Sequence, residues 1–124
     1  MNQFIENKYS KCYFNIVNHR KFNPANENIE RHHILPRCIG GDKSPENMVA
    51  LTAREHFIVH LLLVKMTTGR AHYQMKCAVA RNMGKGKVVS SSKIYAIVRQ
   101  HRREAASYFG KGRKLTEQDK ENKR

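Results

Sequence analysis

Apolar and aromatic side chains recur at three- and four-residue steps from Phe4 to Val17, at Phe4, Ile5, Tyr9, Tyr13, Ile16 and Val17. That period places them along one side of a helix, so a first helix with a buried stripe is expected there. His19 to Asn28 is polar and holds Pro24 and several asparagines, the composition of a loop. Ile29 to Leu35 (IERHHIL) is short and closed by Pro36, which suits a strand better than a helix because the residue before a proline avoids the helical region. Gly40-Gly41-Asp42 supplies a turn, and Asn47 to Leu51 (NMVAL) reads as a second strand.

Thr52-Ala53-Arg54-Glu55 has the form of a capping box, in which each side chain bonds a backbone N–H left unpaired at a helix start. The helix that follows is expected to carry Phe57, Ile58, Leu61, Leu62 and Met66 on its apolar side and to end near Gly69. A third helix is expected from Ala71 to Met83, with Tyr73, Met75, Ala78 and Val79 inward, broken by Gly84-Lys85-Gly86-Lys87. Ser90-Ser91-Ser92 is suited to cap a fourth through about Phe109, whose face is approximated by Ile94, Ile97, Val98, Ala105 and Tyr108. Beyond Gly110 the chain is polar apart from Leu115 and reads as a mobile tail. The class is therefore α+β: two strands among helices, one domain over residues 1–109 and a basic appendage over 110–124, with no internal repeat.

Composition narrows the partner. The 124 residues include 24 Lys+Arg against 10 Asp+Glu, a formal charge of +14, and 40% hydrophobic residues, enough for one modest core. So large a charge implies a polyanion, and because the basic residues run through the whole chain rather than along one lipid-facing helix, nucleic acid is favoured over a membrane surface. The longest apolar run, Phe57 to Val64, is interrupted by His60 and falls short of the ~18 residues a span requires. Met1 to Cys12 is polar where a signal peptide is apolar, so a cytoplasmic location is expected. Cys12, Cys38 and Cys77 form no C-x-x-C pair, which argues for reduced thiols rather than disulfides or a four-cysteine zinc site; Cys38 is expected to be a small buried hydrophobe.

Four of the seven histidines carry the candidate chemistry. His56 and His60 are four apart on the capped helix, so their rings lie on one face and are able to converge. His32 and His33 are neighbours on the first strand, where successive side chains point to opposite sides, so only one of them is able to join the helical pair as a ligand. Three imidazoles around a divalent ion leave a coordination position open, which is the arrangement of a catalytic site. His19, His72 and His101 read as surface or partly buried residues without a role.

The stretch ERHHILPRCIGGDKSPENMVALTAREHFIVH, Glu30 to His60, resembles the HNH nuclease motif, with the paired histidines, Pro36, Gly40-Gly41, the central Asn47 and the helical His56 and His60 in order. Its histidine-rich form is similar to that of the colicin-type nuclease domains, and the flanking sequence resembles the small free-standing, homing-type HNH endonucleases of phages. The resemblance implies a ββα-metal (His-Me finger) core over residues 29–66: a two-stranded hairpin packed on a helix, one divalent ion between them, and further helices around it. It matches His33 to the general base, His32, His56 and His60 to the metal ligands, and Asn47 to the asparagine that ties the loop between the strands. Glu30 falls where some members carry a supporting carboxylate. A neutral imidazole suits the role matched to His33, because it accepts a proton from water near neutral pH.

The implied activity is metal-dependent hydrolysis of DNA phosphodiesters, by nicking or in a homing context, with Mg²⁺, Mn²⁺ or Zn²⁺ as cofactor, double-stranded DNA as partner, and a monomer or homodimer as the working form. Arg37 is a candidate phosphate contact through its planar fork of donors. In the tail, GRKLTEQDK resembles the start of a modular DNA-binding repeat, which places Arg113 and Lys114 on DNA. The competing reading is a non-catalytic DNA-binding module in which zinc pins the hairpin to the helix, and it makes no use of His33.

Overall fold

A computed structural model describes residues 4–84 and 92–110. Its elements are α1 (Lys8–Phe22), β1 (Ile29–His33), β2 (Met48–Thr52), α2 (Ala53–Lys65), α3 (Gly69–Gly84) and α4 (Ser92–Gly110), with single 3₁₀ turns at Arg37–Ile39 and Pro45–Asn47 between the strands. The expected α+β class is what the described residues form. The two strands make an antiparallel hairpin in which His32 lies opposite Val49 and His33 opposite Met48. α1 and α2 pack together against the hairpin, α3 packs on α2, and α4 packs on α3.

The first helix differs from its expected bounds at both ends. It starts after Asn7, whose side chain accepts from the Tyr9 and Ser10 N–H groups at 2.9 Å while Ser10 Oγ accepts from the Asn7 N–H, a reciprocal cap. Phe4 and Ile5 therefore precede it. Their apolar spacing reflects a shared core rather than a helical turn: Phe4 stacks edge-on against Tyr13, and the Ile5 N–H bonds Met66 O. At the other end the helix continues through His19 to Phe22, where a loop was expected. Arg20 is held by Glu55, and Lys21 Nζ donates to the Pro45 and Met48 carbonyls at 3.0 Å, so tertiary bonds fix a polar last turn that has no apolar pattern. It stops at Asn23, before Pro24, as the proline rule requires.

The Thr52–Glu55 capping box is present, with Glu55 N–H on Thr52 Oγ1 at 3.1 Å and Thr52 N–H on Glu55 Oε1 at 3.0 Å. The helix it starts ends at Lys65, short of Gly69, because Thr67 turns its hydroxyl onto Leu63 O at 2.8 Å. Its buried side is Phe57, Val59, Leu63 and Val64, followed by Met66, while Ile58 is at the surface, so the expected stripe is rotated. The inward row therefore runs His56, Val59, His60, Leu63 at helical spacing, which brings the two histidines to the edge of the core. On α3 the buried positions are Met75, Lys76, Val79 and Ala80, and on α4 Val98 and Ala105, with Ile97 exposed against expectation.

Candidate metal centre

The loop between the strands positions the first histidine pair. β1 ends at His33, two residues short of the expected Leu35, because the next N–H groups turn to Asn47: Ile34 N–H bonds Asn47 O and Leu35 N–H bonds Asn47 Oδ1, both at 2.8 Å. Asn47 Nδ2 donates to Leu35 O at 3.0 Å and to Asp42 O at 2.8 Å. One side-chain amide thus ties both ends of the loop to backbone. Gly41 lies under the same clamp, and a Cβ there would overlap Leu35 O and touch Asn47 Nδ2, so the close approach of these backbones requires glycine.

Within this frame His32, His56 and His60 meet, each offering one ring nitrogen with all three atoms within 4.8 Å of one another. The three residues could form a metal site. Ring centres are 5.2 Å apart for His32–His56 and His32–His60, and 4.7 Å for His56–His60. His32 is 2% exposed, and burial, helped by the neighbouring His60, His56 and His33, holds its pKa well below the ordinary histidine range. It is neutral, with a lone pair on one nitrogen.

His56 is oriented from behind. Its Nδ1 is 2.7 Å from Glu30 Oε1, and because a carboxylate only accepts, Nδ1 carries the proton. Its Nε2 then faces His60 Nε2 at 3.1 Å. With its proton on Nδ1, His56 Nε2 accepts from His60 Nε2–H, and the carboxylate–histidine pairing behind it is the arrangement that fixes and strengthens metal-binding imidazoles. Glu30 therefore stands behind the cluster rather than within it. At His32, Nε2 is 2.7 Å from the Tyr13 hydroxyl, a contact from α1 that no motif signalled.

His33 does not join the three. It borders the same depression of about 600 Å³, whose lining includes His32, His33, His56 and His60 together with Arg31, Arg37 and Arg81. The His33 Nε2 atom is shielded and has no hydrogen-bond partner among the described residues. Arg31, Arg37 and Arg81 are exposed and ring the opening with positive charge. Arg81 comes from α3 and carried no signal in the sequence, because only the packing of α3 on α2 brings it there. Cys38 is exposed at this rim and not buried as expected, since the 3₁₀ turn after Pro36 carries it outward. Arg113 and Lys114 lie outside the described residues. A larger hollow of about 940 Å³, lined by Ile29, Phe57, Ile58, Leu61 and Ile94, is mainly apolar and gathers no ring nitrogens.

Among curated proteins, the chain is 36% identical over 114 residues to the "Probable mobile endonuclease E" of Enterobacteria phage T4, spanning 89% of this chain and 77% of that protein. It is 48% identical over 63 residues to the "Probable mobile endonuclease D" of the same phage, covering 47% of this chain and 24% of that protein. The "Probable mobile endonuclease C" is 34% identical over 92 residues, 71% of this chain and 43% of that protein. The D and C relatives thus extend well beyond the matched segments. No protein-family model matches the chain, and no solved structure does. Among the described residues no helix is long and apolar enough to cross a membrane.

Proposed function

The chain belongs to the family of the probable mobile endonucleases of phage T4, and from that membership and the histidine cluster we propose that it is a metal-dependent HNH endonuclease with a ββα-metal site that hydrolyses phosphodiester bonds of double-stranded DNA. The observation that carries this reading is the meeting of three neutral-capable imidazoles beside a fourth that is left out of the cluster. β1 supplies His32 and His33, and α2 supplies His56 and His60, in the order of the HNH motif.

The donor set fits a divalent ion such as Mg²⁺, Mn²⁺ or Zn²⁺: three nitrogens from His32, His56 and His60, one backed by Glu30, with fewer than four protein ligands so that positions remain for water and substrate. Such an ion supplies Lewis-acid neutralisation of the charge that grows on the phosphate and on the departing 3′ oxygen. His33, which lines the same depression, is the general base, taking a proton from the water that attacks phosphorus in line. Asn47 keeps His33 at the mouth of the depression by clamping the loop that follows it. Arg37, with Arg31 and Arg81, binds flanking phosphates through paired N–H donors. Residues 1–109 make up the nuclease domain, and the basic stretch 110–124, with Arg113 and Lys114, adds non-specific hold on the duplex.

Incubation of supercoiled plasmid with the protein and Mg²⁺, Mn²⁺ or Zn²⁺ tests this. Nicked circles are expected from the wild type and, from folded His33→Ala, a rate lower by about 10²–10⁴-fold, the usual contribution of a positioned base. A His33→Ala variant that nicks at the wild-type rate rules out that assignment. DNA binding and metal-dependent stabilisation with no cleavage by the wild type under any ion leaves the zinc-stabilised binding module as the function.

A further inference from the structure

We propose that Tyr13, on α1, is a positioning residue of the metal site: it fixes the proton of His32 on Nε2 and so leaves Nδ1 as the nitrogen of that ring with a lone pair for an ion. The proposal rests on the reading of the three histidines as metal ligands. It extends the site to a helix nineteen residues upstream of His32 that the nuclease motif does not include.

The argument is a count of protons. Tyr13 Oη lies 2.6 Å from Ile34 O and 2.7 Å from His32 Nε2, so both contacts are hydrogen bonds. A carbonyl oxygen only accepts, and a phenol has a single hydrogen, which must therefore go to Ile34 O. The second bond then needs its hydrogen from the histidine. Nε2 of His32 is the donor and Nδ1 is left as the acceptor. No other assignment satisfies both contacts with a neutral ring. Water has little access to blur the choice, since Tyr13 is 0% and His32 2% exposed.

The phenol is itself held in place. Its ring meets Phe4 and Phe14 edge-on at 5.8 and 5.1 Å between centres, and His32 at 5.9 Å. Its hydroxyl grips the backbone carbonyl two residues after His32, so the same oxygen anchors the ring and the strand end that carries it. Glu30 does for His56 what Tyr13 does for His32, one with a carboxylate and the other with a neutral phenol. The ring nitrogens of two of the three ligands are thus assigned from behind by different elements.

Tyr13→Phe removes the oxygen and keeps the ring. Long-range ¹H–¹⁵N spectra of the metal-free wild type should show His32 as the Nε2–H tautomer. In the folded Tyr13→Phe variant that preference should weaken, and Zn²⁺ affinity by calorimetry should fall roughly 10–100-fold, the range for loss of a partner behind a ligand. A purely structural tyrosine would lower thermal stability while leaving the tautomer and Zn²⁺ affinity of the folded variant unchanged, which would overturn the proposal. Should Tyr13→Phe fail to fold, the wild-type spectrum decides alone: a proton on Nδ1 of His32 overturns it. Wild type and His32→Ala binding Zn²⁺ equally would instead remove the metal-site reading on which it stands.

Discussion

Between α3 and α4, Lys76 is buried with its ammonium 2.9 Å from Glu104 Oε1 and 5.1 Å from the centre of the Tyr73 ring, and His101 borders the same pair. Between the hairpin and α2, by contrast, the groups that meet are imidazoles, with Glu30 behind one and Tyr13 behind another. Both clusters bury titratable side chains, yet they are electrically opposite. In the first the cation belongs to the chain, the neighbouring helix brings its counter-charge, and Tyr73 on the lysine's own helix brings an aromatic face. In the second, three imidazoles meet within 4.8 Å, with His60 Nε2 and His56 Nε2 hydrogen-bonded at 3.1 Å, and neutral rings of this kind suit an added cation. A buried cluster whose charges pair within the chain indicates packing, whereas a gathering of neutral ring nitrogens also suits a cation.

The largest effects should separate the two clusters by metal. Saturating Zn²⁺ should stabilise the wild type by about 2.7 kcal/mol at one hundred times the dissociation constant. His56→Ala should lose that gain and the nicking activity together, whereas Lys76→Met should keep both, as read by calorimetry with and without the ion. An equal metal response in His56→Ala would erase the contrast. Next comes the loop clamp: Gly41→Ala should cost about 1–3 kcal/mol, the range for forcing atoms into a packed site, because its Cβ overlaps Leu35 O. It should depress cleavage by displacing the strand end that bears His33, and it should leave the Lys76–Glu104 tie intact.

The third test concerns asymmetry within the α3–α4 pair. Glu104→Gln leaves Lys76, whose side chain is 8% exposed, without its counter-charge. Breaking a wholly buried pair costs about 3–5 kcal/mol, but Glu104 is 41% exposed and partly answered by water, so about 1–2 kcal/mol is expected. Lys76→Met, which removes the buried charge and keeps an unbranched apolar stem, should cost less. Urea titrations of the two variants decide, and a larger loss in Lys76→Met would reverse the reading of which partner needs the other.

How much of this was legible in the sequence divides along similar lines. Features fixed by neighbours in the chain were readable: the Thr52–Glu55 cap, the turn at Gly40-Gly41, the i, i+4 spacing of His56 and His60, and the two short strands. What depends on distant packing was not. The side of α2 that faces inward was ambiguous because Phe57, Ile58, Leu61, Leu62, Leu63 and Val64 supply apolar residues nearly all round, and only contacts with α1, α3 and the hairpin select Val59 and Leu63 over Ile58. Lys76 sits among apolar residues at helical spacing and gives no hint that its ammonium is buried. Tyr13 was visible as a core position, but not its hydroxyl's two partners, which belong to another element. Arg81 reaches the histidines only through α3, so charge counting placed basic residues everywhere and singled out none.

The smallest effect expected is a pH dependence that belongs to His101. Burial, with Lys76 nearby, holds the pKa of His101 below its ordinary 6.5; Lys65 and His72 act in the same direction, and Glu104, 3.8 Å from Nδ1, opposes them. The unfolded chain therefore takes up the proton more readily than the folded one. Stability is full above the unfolded pKa and declines as pH falls below it, until the folded ring protonates too. His32, also held low by burial, adds a slope of the same sign, so the wild type alone does not isolate His101. The difference between wild type and His101→Gln does. Their urea midpoints should be separated by a constant offset at about pH 7 to 8 and draw together as pH falls below 6.5, because only the wild type has that proton to gain. Glu104→Gln, by removing the one group that favours the charged ring, should extend the wild-type decline to lower pH. Parallel pH profiles for wild type and His101→Gln would mean that His101 adds nothing to the acid sensitivity of the fold.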